Sequence, residues 1–139
     1  MHKATLLVCL ALAPLISCSR QKPLSRDELQ SKLRSAESIA AEAGTLIDYI
    51  RHGRATHPYA TGHIEYLSSD LARIAKELHN SLPAADASAQ FGDGSQQVDA
   101  LAEALNDLRS RIAQSDTLAP DQDQIARIRN ALQQAVSSL

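Results

Sequence analysis

Residues 25–52, SRDELQSKLRSAESIAAEAGTLIDYIRH, carry Leu29, Leu33, Ala36, Ala40, Ala43, Ile47 and Ile50 at alternating intervals of four and three. Side chains at that spacing share one stripe of an α-helix, the seam by which a helix packs in a bundle or a coiled coil. The start of this helix is specified twice. Ser25 and Glu28 have the spacing of a capping box, and Leu24 and Leu29 that of a hydrophobic staple. His52-Gly53-Arg54 reads as its end, because glycine takes the left-handed position after a last turn at little steric cost.

The same reading extends to the C-terminus. A second helix is expected from Thr56 or His57, with Pro58 in the first turn, where its missing N–H has no intrahelical partner. Its seam is Ile64, Leu67, Leu71, Ile74 and Leu78, and Pro83 is expected to stop it. Residues 83–94, PAADASAQFGDG, are small, polar and glycine-rich, which predicts the longest loop. Asp93 and Gln96 repeat the capping-box spacing before a third seam of Val98, Leu101, Leu105, Leu108 and Ile112. Pro120 opens a fourth helix with Ile125, Ile128, Leu132, Ala135 and Leu139. The fold expected is all-α, an antiparallel up-down four-helix bundle over residues 25–139. The alternative from the same pattern is a helical hairpin that completes its core with another chain.

Composition agrees with this fold class. The 139 residues suit one packed domain, and the aromatic share of 3% removes many of the side chains that strands prefer. Leu, Ile and Ala dominate the apolar set, favouring helix.

The first eighteen residues are of a different kind. His2 and Lys3 make a short polar start, Ala4 to Ile16 is an apolar run, and Leu15-Ile16-Ser17-Cys18 closes it. A charged start followed by an apolar stretch too short for a bilayer span is the pattern of an export signal. The closing tetrapeptide resembles the lipobox of bacterial lipoproteins. That resemblance implies a signal peptide over residues 1–17, acylation of Cys18 as the first mature residue, and a lipidated tether over 18–24. Cys9 would leave with the signal, so the mature chain would hold one cysteine and no internal disulfide. Several acyl chains, at about 0.8 kcal/mol per buried CH₂, anchor a protein stably to a leaflet. In Gram-negative lipoproteins an Asp at this place resembles an inner-membrane retention signal, so for a Gram-negative cell Ser19 points to the periplasmic face of the outer membrane rather than the inner membrane. Loss of Lys3 from 14 basic side chains against 16 acidic ones takes the formal charge from −2 to −3, a balance that argues against a nucleic-acid partner.

Motifs for chemistry are sparse. There is no Cys-x-x-Cys-His haem attachment, no Glu-x-x-His pair for a di-iron centre, no glycine-rich phosphate loop and no Gly-x-Ser-x-Gly elbow. The run Gly62-His63-x-Glu65 does not have the spacing of the imelysin signature. No enzyme activity and no cofactor are therefore expected.

One clustering of residue types stands out. Tyr49, Tyr59 and Tyr66 fall with His52, His57 and His63 around the first helix turn, among Asp48, Arg51, Arg54 and Glu65. On the second helix Tyr59, His63, Tyr66 and Asp70 are spaced four, three and four, forming a stripe beside the seam and within reach of Tyr49 or His52 across the turn. Amphipathic Tyr and His at such a place can cover the open end of a bundle. Alternatively, Tyr49, His52, Arg54, Tyr59, His63 and Tyr66 form a protein-binding tip, since Tyr and Arg are enriched at interface hot spots. A third reading is a metal site on His52, His57 and His63, whose spacing fits no strong template. His79 reads as a helix-terminal cation or cap. The function expected is a lipid-anchored, non-enzymatic interaction or structural protein of the cell envelope, with an envelope protein as partner. The alternative is a small metal-binding lipoprotein.

Overall fold

The computed structural model describes residues 23–114 and 117–139. The expected signal peptide, Cys18 and most of the expected tether lie outside the described residues. In chain order the described elements are β1 (Pro23–Leu24), α1 (Arg26–Arg51), α2 (His57–His79), β2 (Leu82–Pro83), α3 (Ser88–Gln114) and α4 (Ala119–Ser137). The protein is an all-α four-helix bundle.

Local chemistry sets both ends of α1. The Glu28 N–H donates to the Ser25 hydroxyl at 3.2 Å and the Ser25 N–H donates to the Glu28 carboxylate at 2.9 Å, completing the capping box. Leu24 and Leu29 are both buried, as a staple requires. At the other end Gly53 has φ of 66°, its N–H donates to the Ile50 carbonyl at 3.0 Å, and the Arg54 N–H donates to the Tyr49 carbonyl at 2.8 Å. This pair of bonds is a Schellman motif, which satisfies carbonyls that the helix end leaves open. The helix α2 starts behind Thr56, with Pro58 in its first turn and no side-chain cap bond.

The helices form a ring in which α1 packs most extensively on α4, α2 on α3, and α3 on α4, while the α1–α2 contact is lighter. Leu33, Ile47, Leu67, Leu71, Leu101, Leu105, Ile125 and Leu132 fill the interior. Each such side chain contributes roughly 1.5–3 kcal/mol relative to exposure. On α1 the buried face also takes in Ile39 and Leu46, and Ile50 is only partly covered. A helix that faces neighbours on two sides needs a wider apolar face than a coiled-coil seam provides. The core closes within one chain, so no second copy is needed to complete it.

The expected loop over 83–94 requires correction. The helix α2 already ends at His79, and after β2 a turn with Ala87 N–H donating to the Ala84 carbonyl at 3.0 Å leads into α3 from Ser88. Asp93 and Gln96 thus lie inside α3, and their capping-box spacing is not used. Packing decides this start. Ala87 is buried, Phe91 packs on the core, and Gly94 is buried where a Cβ would stand 2.8 Å from both δ carbons of Leu33. The glycine that looked like a loop signal permits a close approach of α3 to α1.

The short segments β1 and β2 pair in parallel, Pro23 with Leu82 and Leu24 with Pro83. This brings Pro23 and Leu24 against the α2–α3 connection, so both segments lie at the end of the bundle opposite the α1–α2 turn. Among the described residues no helix is long and apolar enough to cross a membrane.

Candidate functional site

The helical period of α2 places Tyr59, His63 and Tyr66 on one outward line, and the structure keeps them together. The rings of Tyr59 and His63 are stacked, with centroids 5.6 Å apart and planes inclined by 16°. His63 and Tyr66 are 6.3 Å apart and tilted by 39°. Tyr59 and Tyr66 are 57% and 63% exposed, so neither covers the core. His63 is half-buried between them, and its Nε2 lies 2.9 Å from Oε1 of Glu42 on α1. That contact holds the middle ring of the stripe against its neighbouring helix.

The α1 group that meets the stripe is Glu42, where the expectation was Tyr49 or His52. Glu42 and Tyr49 are seven positions apart and share a face of α1, a signal that could have identified Glu42 in advance. Tyr49 is 48% exposed near the turn. His52 turns back on its own helix, with Nδ1 2.7 Å from the Asp48 carbonyl and 3.6 Å from its carboxylate. Arg54 is exposed beyond the Schellman turn.

The three histidines of the metal reading do not converge. His52 is occupied at the α1 terminus, whereas His57 lines a cavity of about 450 Å³ with Ile50, Arg51, Ala60, Ile112 and Leu118. His63 is six positions on from His57, which turns it about 120° away around the helix. Among the described residues no group of three His, Cys, Asp or Glu could hold a metal ion. The end of the bundle is closed by aliphatic residues, including Ile112 and Leu118. The tyrosines therefore do not serve as its lid.

Below Tyr66 the line continues in charge. Arg73 reaches Asp70 at 2.7 Å and Glu77 at 3.2 Å, and Glu77 also accepts from Lys32 of α1. The Lys32 hydrogen bond, ahead of the counteracting effect of burial, holds the Glu77 carboxyl below its ordinary value. Asp70, through its hydrogen bond, holds the Arg73 guanidinium above its own. The outer edge of the α1–α2 seam is thus aromatic near the turn and ionic near β1. His79, at the end of α2, pairs with Asp99 of α3 at 3.2 Å.

Asp121 was not singled out by its position in the sequence. It is 3% exposed in the first turn of α4, with Oδ1 3.2 Å from Nε of Arg111. A carboxylate there suits the positive end of the helix, and the pair ties α4 to α3.

Comparison with protein-family models, with curated proteins and with solved structures found no match for this chain. The class that the fold defines is a four-helix bundle with an exposed aromatic face, and its function has to be argued from that face.

Proposed function

We propose that the chain is a lipid-anchored protein of the cell envelope, held through acylated Cys18 and acting as a non-enzymatic interaction module. Its protein-binding surface is the Tyr59–His63–Tyr66 face, with Tyr49, His52 and Arg54 at the adjoining turn. The anchor rests on the Leu15-Ile16-Ser17-Cys18 run at the close of an export signal. Ser19 favours the periplasmic face of the outer membrane.

One observation carries the binding surface: two large aromatic side chains are more than half exposed on a rigid helix while the core is complete without them. Tyrosine offers wide contact area at low cost in side-chain entropy, and such residues dominate interface energetics. The Glu42 contact orders the stripe before a partner arrives. The helix α1 has 26 residues and is roughly 39 Å long, so with the anchor at its start the stripe stands well away from the lipid.

Replacing Tyr59, His63 and Tyr66 together by Ala should leave helical circular dichroism intact. Recovery of a partner from detergent-solubilised envelope should fall by roughly thirtyfold, as loss of a hot spot worth about 2 kcal/mol implies. An unfolded triple variant makes the stripe structural. A folded variant that retains every partner makes it a solvated surface.

A further inference from the structure

The opposite end of the seam holds a groove of about 650 Å³ whose walls include Leu24, Glu28, Lys32, Arg73, Lys76 and Glu77. Lys32 and Arg73 both converge on Glu77, whereas Lys76 makes no ion pair among the described residues. The groove therefore presents the Lys76 ammonium without a carboxylate partner among the described residues, on a chain whose net charge is negative. Beside it is Leu82, 50% exposed and, apart from the three tyrosines, the exposed large hydrophobic side chain among the described residues. Pairing of β1 with β2 sets Leu82 next to Pro23, and Pro23 follows Cys18 by five positions, a stretch of chain that spans at most about 18 Å.

We infer that this end of the bundle docks on the membrane surface, with Leu82 entering the interface and Lys76 at the groove meeting the phosphate of an anionic lipid headgroup. The inference rests on the lipid-anchor reading and goes beyond it, since an anchor alone permits any orientation of the body. Acyl chains on Cys18 confine this end to the neighbourhood of the headgroups. An aliphatic side chain beside an unpaired lysine is the pairing that an anionic interface favours, because the apolar group leaves water while the cation stays at headgroup level. The negative remainder of the body is repelled by the same surface and held outward.

The test uses the processed, acylated protein beginning at Cys18 and carrying Ala85→Cys, labelled with an environment-sensitive dye. Position 85 is exposed close to Leu82, and the native Cys18 is blocked by its acyl chains. On vesicles containing brominated phosphatidylglycerol the dye should be quenched, and on brominated phosphatidylcholine alone it should not. A dye at Tyr66→Cys should report water on both. Lys76→Glu should lower the ratio of docked to undocked protein by roughly tenfold, and Leu82→Ser should lower it in the same direction. Equal exposure at position 85 on both vesicles, with acyl mass present on Cys18, overturns the docking and leaves the anchor standing. A chain without acyl mass that floats with neither vesicle overturns the anchor reading and the docking with it. Quenching abolished by inorganic phosphate at constant ionic strength assigns the groove to a soluble anion and overturns the membrane assignment.

Discussion

The α1–α2 turn and the α2–α3 connection each join neighbouring antiparallel helices, at opposite ends of one bundle, yet different physics specifies them. At the α1–α2 turn every device is local: Gly53 at φ of 66°, two hydrogen bonds back to Tyr49 and Ile50, and Pro58 opening the next helix. At the α2–α3 connection the decisive contacts come from far along the chain. Leu82 and Pro83 pair with Pro23 and Leu24, and Gly94 lies against Leu33. A turn governed by its own residues can be displayed, with exposed aromatic groups on its flank. A connection governed by packing has to be built into the core, and it makes the bundle end that holds β1.

The largest expected effect tests the packed connection. Gly94→Val puts a branched side chain where a Cβ alone stands 2.8 Å from Leu33, and overpacking of this kind should cost about 1–3 kcal/mol in urea unfolding. Two residues earlier Gly92 is exposed and has open space at its Cβ, so Gly92→Ala should instead stabilise α3 by about 0.5–1 kcal/mol. If both substitutions destabilise equally, glycine flexibility matters there and close packing does not. The next effect breaks the local turn. Gly53 has free space but a positive φ, so Gly53→Ala should cost about 1 kcal/mol through backbone strain alone. Gly53→Asn should recover part of that loss, and equal penalties for the two would remove the left-handed argument.

The smallest effect asks what charge adds at the packed end. Glu77 is held below its ordinary carboxyl value of 4.5, first by the Lys32 hydrogen bond. A lowered folded-state value means the contribution is present above the ordinary value and is lost as pH falls through the lowered one. In low salt, Glu77→Gln should therefore trail the wild type in Tm at pH 7 and approach it in strong acid. Parallel pH curves for the two proteins would show that the ion pairs are screened to nothing, the common fate of exposed pairs.

The candidate site was legible in part. Tyr59, His63 and Tyr66 could be placed on one line because spacings of four and three in a helix admit no other arrangement. The spacing within α1 places Glu42 on the face of Tyr49, but its meeting with His63 depends on how α1 and α2 are set against each other, which no pattern within one helix carries. The histidines grouped by nearness in sequence came apart for a related reason, since His57 and His63 point in different directions from the same helix.

For the fold, the sequence by itself determined four helices, both ends of α1 and the residues of each seam apart from Ile50, which is only partly covered, and Leu139, which lies beyond the end of α4. Those features depend on 3.6-residue periodicity and on bonds between residues three to five apart. Only the tertiary structure decided where α3 begins, which wider face α1 buries and which group orders the aromatic stripe. Burying Ala87 and seating Gly94 on Leu33 outweigh the turn preference of a glycine-rich segment, because apolar burial acts between surfaces brought together by the whole fold and takes no account of their separation along the chain.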